Sequence, residues 1–136
     1  MNLGILSTAP NCYSTRRLVD AGQSRGHEVH VINTLETSLS IEGGEPDLFY
    51  NGKDVLIPDA VIPRIGSSIT YFGTSVLRQF EQMDVYTPNS SSGVINSRDK
   101  LRSFQILAKH NICMPKTAYV RQNKDILPAK IGRAHV

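Results

Sequence analysis

Asn2-Leu3-Gly4-Ile5-Leu6 is a short apolar run cut off by Ser7-Thr8-Ala9-Pro10-Asn11, which reads as a buried first strand emptying into a loop. A helix is expected next. Ser14 is placed to cap it, Leu18, Val19 and Ala21 form its apolar face, and Arg25-Gly26 closes it. Residues 27–32 then alternate through Val29 and Val31 as a half-buried strand does. Strand, helix and strand in this order make a βαβ unit, whose crossover joins parallel strands.

Working outward, residues 34–46 are polar and Gly-rich and show no strand of their own. Residues 48–50 and 55–57 flank Asn51-Gly52, the strongest short hairpin signal in the chain. Residues 59–62 read as a third strand of the main sheet, ending at Pro63. Residues 70–83 form a helix with Tyr71, Val76, Leu77 and Phe80 on one side and Arg78, Gln79, Glu81 and Gln82 on the other. A brief strand at 85–86, a short helix at 90–96 and a longer one at 99–110 follow, the last ended by a left-handed Asn111. Residues 117–120 are strand-like. The fold class is α/β: a Rossmann-like domain over residues 1–97, with a parallel sheet and a small β-hairpin insertion, then the beginning of a second domain over 98–130.

The 136 residues carry a net charge of +3, and the sign changes along the chain. Residues 1–97 hold 6 Lys/Arg against 10 Asp/Glu, whereas residues 98–136 hold 9 against 2. Leu101, Phe104, Ile106 and Leu107 interrupt the basic third at helical spacing, so a solvated helix face with one or two phosphate-binding residues fits better than a nucleic-acid tail. There is no basic leader and no long apolar segment, and Cys12 and Cys113 have no CxxC partner. A cytoplasmic, reduced protein without membrane attachment is expected.

No GxGxxG follows the first strand and no Walker motif occurs, so the fold lacks a dinucleotide or P-loop phosphate cradle. Pro63-Arg64-Ile65-Gly66 stands at the carboxyl end of the third strand, where ligands of open α/β sheets collect. Arg64 can hold a carboxylate or phosphate with its planar fork, Gly66 permits close backbone approach, and Ser67 lies beside them. Arg64 can equally brace the loop. Asp99 suits the start of the last helix, which points Lys100 at whatever faces that start, a nucleotide phosphate or only water. His27, His30 and His110 have no partners at metal spacing. Cys12 stands where a nucleophile could, without an evident base.

Met1 to Ser7, Asp59-Ala60-Val61-Ile62-Pro63-Arg64-Ile65-Gly66, Leu77-Arg78-Gln79-Phe80-Glu81 and the segment 97–103, taken in order, resemble RimK-type alpha-L-glutamate ligases of the ATP-grasp superfamily. The likeness runs from Met1 to about Val120. It implies a Rossmann-like domain ahead of two lobes that hold ATP, with magnesium or manganese. It implies ligation of glutamate to the carboxyl terminus of a small-subunit ribosomal protein through an acyl phosphate. It also implies self-association of the full-length enzyme and a place for Lys100 near the nucleotide; the position of Arg64 after a parallel strand, beside Gly66 and Ser67, suggests that in such an enzyme its guanidinium meets a substrate carboxylate or phosphate oxygens. The metal carboxylates and Gly-rich loop of the family would come later than this chain reaches, so the chain is expected to be inactive alone. Ile131-Gly132-Arg133-Ala134-His135-Val136 departs from the family and is similar to a translated sequencing adapter, which makes it a candidate non-native tail. The competing reading is a stand-alone Rossmann-like module that binds an anion or a partner; direct attachment to RNA through the basic third is weaker.

Overall fold

The computed structural model describes residues 1–122 and Lys124, so the candidate tail at 131–136 lies outside the described residues. The chain divides into two compact units, Met1–Ile95 and a second beginning at Asn96. In the first, β1 (Asn2–Leu6), α1 (Tyr13–Gln23) and β2 (Glu28–Ile32) form the expected βαβ unit. β1 pairs in parallel with β2 on one side and with β6 (Ala60–Pro63) on the other. Tyr86 adds one parallel bridge to Ala60, all that forms of the expected strand at 85–86. Being central, β1 is covered on both faces, and Gly4, Ile5 and Leu6 are all buried. β2 is an edge, and its exposed Glu28 and His30 lie 3.1 Å apart.

α1 begins at Tyr13, not behind Ser14. Cys12 holds the N-cap position in extended backbone, and its carbonyl accepts the first helical bond, from the Arg16 N–H at 3.0 Å. Ser14 therefore falls within the first turn and its hydroxyl is used elsewhere. Gly26 adopts φ +77° beyond the helix end, the stop expected from Arg25-Gly26.

The insertion is larger than a hairpin. β3 (Thr37–Glu42), β4 (Glu45–Tyr50) and β5 (Lys53–Asp54) form a separate antiparallel sheet. Asn51 and Gly52 turn the chain with φ of 51° and 72°, as that pair favours, but the outgoing arm is Lys53–Asp54 and not 55–57. β3 lies inside the polar, Gly-rich stretch, where no strand is expected, and is joined to β4 by Gly43 and Gly44, both at positive φ. Hydrogen bonds, first from Tyr50 and then from Asn51 and Asn33, hold the Glu36 carboxyl below its usual range and pin the corner of this sheet.

α2 (Thr70–Gln82) packs against β3, β4 and β6, so it is covered by both sheets. Val76, Leu77 and Phe80 are fully buried, as expected, each contributing about 1.5–3 kcal/mol. Two positions differ. Tyr71 is 88% exposed, and Gln79, expected on the polar face, is 6% exposed. Its Nε2 donates to the Ser40 carbonyl at 2.9 Å and the Asp47 carbonyl at 2.8 Å. A helix enclosed by two sheets has a wider buried arc than its apolar stripe, and an amide is accommodated where two carbonyls meet it. Glu81 then accepts from the Ser91 N–H at 2.7 Å and its hydroxyl at 2.6 Å, tying the start of α3 (Ser91–Arg98) to α2.

In the second unit Asp99 caps α4 (Lys100–Lys109), its Oδ1 accepting the Arg102 N–H at 3.0 Å. Asn111 is left-handed at φ 54°, as expected. Residues 117–120 form no strand, because extended backbone needs a neighbour to satisfy its N–H and C=O groups and no described residue pairs with them. Among the described residues no helix is long and apolar enough to cross a membrane.

Candidate functional site

Because β1 and β6 run in parallel, their carboxyl ends share one edge of the sheet. The Arg64 N–H donates to the Leu6 carbonyl at 2.8 Å, carrying the ladder one residue past β6. Its exposed side chain turns to α1, where Nη2 donates to Ser14 Oγ at 2.8 Å. This is a bracing contact, yet it uses one of the five guanidinium N–H groups and leaves the fork available. The space beside it is a cleft of about 530 Å³ with Ser14, Arg17, Arg64 and Asn89 as its polar lining and Tyr13, Leu18, Ile62 and Pro63 as its apolar lining.

Behind the cleft rim runs a chain of small polar groups. Buried Ser7 and Thr15 share a hydroxyl hydrogen bond at 3.0 Å, and Thr15 Oγ1 lies 3.0 Å from Cys12 Sγ. Hydrogen bonds from Ser14 first, then Thr15, with a smaller contribution from the Arg64 charge, bring the Cys12 thiol down to about 7. Among the described residues no base that would make it a nucleophile in a catalytic pair adjoins it.

Gly66 stands at the head of a 3-10 turn, Ser67–Ile69, with φ −69°. A Cβ built there meets nothing nearer than 3.9 Å, so this chain's own packing does not demand glycine. Ser67 is exposed on that turn. Lys100 opens α4 in the second unit, exposed and one residue past the capping Asp99. Among the described residues no group of three or more His, Cys, Asp and Glu side chains could hold a metal ion.

Arg17, Asn89 and the partner of Ser14 are not among the residues expected from sequence. Arg17 follows Ser14 by three residues and thus shares its helix face, a signal that was available. Nothing local links Ser14 to Arg64, 50 residues away.

Residues 1–94 match the RimK PreATP-grasp domain. The chain is 60% identical over 129 residues to a probable alpha-L-glutamate ligase of Rhodopirellula baltica, covering 95% of this chain and 32% of that protein. It is 51% identical over 126 residues to probable alpha-L-glutamate ligase 1 of Shewanella denitrificans, covering 93% and 43% respectively. The chain thus spans less than half the length of these relatives. Among solved structures, the ATP-grasp ligase PsnB complexed with minimal precursor superposes with a TM-score of 0.71 at 17% identity, over 95% of this chain and 49% of that one. At that identity the likeness speaks for the fold. With a family match over residues 1–94 and relatives this similar across nearly its whole length, the chain belongs to the RimK pre-ATP-grasp family.

Proposed function

We propose that this chain is the amino-terminal part of an ATP-dependent alpha-L-glutamate ligase that adds glutamate to the carboxyl terminus of an acceptor protein, a small-subunit ribosomal protein. The observation that carries the reading is the 60% identity over 129 residues to a probable ligase of that name. In this reading residues 1–97 are the domain ahead of the ATP-grasp lobes and residues 98–130 begin the first lobe, in a cytoplasmic and self-associating enzyme. Transfer of the γ-phosphoryl group of ATP to the acceptor carboxylate would give an acyl phosphate and release ADP, and a magnesium or manganese ion held elsewhere in the enzyme would offset the phosphate charge. The glutamate amine then attacks the acyl carbon and phosphate leaves.

This chain's own share is binding. The described residues offer no metal-ligand group, so no metal step is assigned to them. Lys100, at the head of α4, is proposed to face the nucleotide. Arg64, with Gly66 and Ser67 beside it, is proposed to hold a substrate carboxylate, and its anchored guanidinium supports this. Replacing Arg64 by Lys in a protein of the relatives' length keeps the charge and loses the fork. The apparent affinity for glutamate or acceptor is expected to weaken about tenfold at an unchanged melting temperature. Unchanged affinity with a sharply lower melting temperature would make Arg64 a brace alone. Absence of ATP-dependent glutamate transfer to any carboxyl-terminal acceptor would overturn the ligase reading and favour a stand-alone binding module.

A further inference from the structure

We propose that the open edge of β2 pairs with β2 of a second copy of this chain, the two strands antiparallel about a two-fold axis at Val29, so that Glu28 of each copy meets His30 of the other. The inference does not rest on the ligase activity; it gives the self-association proposed above a surface within this chain. β2 bonds to β1 alone. The Glu28 N–H donates to the Met1 carbonyl at 3.0 Å, and the Ile32 carbonyl accepts from the Ser7 N–H at 3.0 Å, so the even-numbered residues of the strand bond toward β1. Val29 and Val31 therefore turn their N–H and C=O groups outward, and among the described residues no backbone group meets them.

The side chains on this edge decide what can pair with it. An edge guarded by charge of one sign repels a second copy of itself. Here the charges are opposite: Glu28 and His30 stand two positions apart on one face, 65% and 48% exposed, with the carboxylate 3.1 Å from the imidazole Nε2. Turning a copy through 180° at Val29 sets each carboxylate directly across from an imidazole, in the positions where cross-strand side chains come closest, while Val29 exchanges N–H and C=O bonds with its own copy. With the axis at His30 instead, imidazole would face imidazole and Glu28 would face buried Ile32. Beside the edge lies a cleft of about 300 Å³ that His30 lines with Lys53, Asp54 and Leu56. Lys53 offers the incoming Glu28 a second cation, and Asp54 on the same wall opposes it. Leu56 and the next residue, Ile57, are 68% and 40% exposed, apolar surface that a second copy would cover. A foreign strand could use the same backbone groups, but the two-fold match of Glu28 with His30 selects this sequence. Five residues of strand make a small interface, so the dissociation constant is expected to be on the order of 10–100 µM.

The test is sedimentation equilibrium of the whole 136-residue chain at low salt, from about 5 to about 500 µM. The average mass is expected to rise from that of one chain toward that of two. Glu28→Lys leaves a cation beside imidazole and Lys53, and His30→Glu leaves carboxylate beside carboxylate; each should weaken self-association at least about tenfold. Mixing the two variants in equal amounts should restore it, because the new lysine of one then faces the new glutamate of the other. A chain that stays monomeric throughout, a dimer that both variants leave unchanged, or a mixture no tighter than either variant alone overturns the proposal. Amide hydrogen exchange of the unaltered chain gives a readout that needs no variant. The Val29 and Val31 N–H groups should exchange more slowly at the high concentration than at the low one, and equal exchange at both overturns the pairing. Glutamate transfer by a protein of the relatives' length is a separate measurement, so failure of either reading leaves the other standing.

Discussion

At Gly73 helix α2 lies directly against Ile65, in the loop that carries Arg64. A Cβ placed on it would overlap Ile65 Cγ2 and stand 3.2 Å from Cγ1 and 3.3 Å from Cβ, all atoms near the stem of a buried side chain. Gly73→Ala therefore sets two effects against each other. Alanine in a helix interior gains up to about 1 kcal/mol over glycine. Forcing a methyl into a filled core costs about 1–3 kcal/mol. An overlap against the root of a β-branched residue has no soft direction, so the second effect is expected to prevail by about 1–2 kcal/mol. For a unit of roughly a hundred residues this lowers the melting temperature by about 5–15 °C. Ile65→Ala alone costs about 2–5 kcal/mol through the cavity it leaves. The double variant should cost less than the sum of the two, because the alanine methyl then occupies vacated space. Thermal unfolding of the four proteins measures this cycle. A melting temperature raised by Gly73→Ala, or strict additivity in the double variant, would refute the close approach as the reason for glycine there.

Gln79→Leu is expected to destabilise by about 1–3 kcal/mol in urea unfolding although leucine is more apolar, since the Ser40 and Asp47 carbonyls each lose a donor; a gain in stability would contradict the bridge. Glu36 is held below its ordinary value of 4.5, so its contribution is present above that pH and lost as pH falls through the lower folded value. Melting curves from neutral pH to pH about 3 should show Glu36→Gln removing part of the acid-side decline, and identical slopes would argue against the Tyr50, Asn51 and Asn33 bonds. Alkylation of Cys12, followed by peptide-resolved mass spectrometry, should rise with a midpoint near 7, against about 8.5 for an unperturbed thiol. Ser14→Ala should move that midpoint upward, as it removes the largest cause, and an unmoved midpoint would show the hydroxyl to be idle.

Much of the architecture was written in local chemistry. The apolar run at 2–6, the positive-φ pair Asn51-Gly52, the cap at Asp99 and the left-handed Asn111 are properties of a few adjacent residues, and each stands where expected. β3 is hard to see in the sequence because serines alternate with Leu39 and Ile41, so a strand with one open face resembles a polar stretch; Gly43-Gly44 between two alternating stretches is its turn signal. Gln79 and Tyr71 depart from their expected faces because helix periodicity gives the apolar stripe but not how many neighbours enclose the helix. The cleft is a matter of the third dimension alone. That Arg64 belongs at the end of a parallel strand follows from sequence, but Ser14, Arg17 and Asn89 join it only after β1, α1 and β6 have packed. Backbone preferences act over a handful of residues and survive in the order of the letters. Contacts across 50 positions depend on strand order and helix placement, which short-range chemistry permits without dictating.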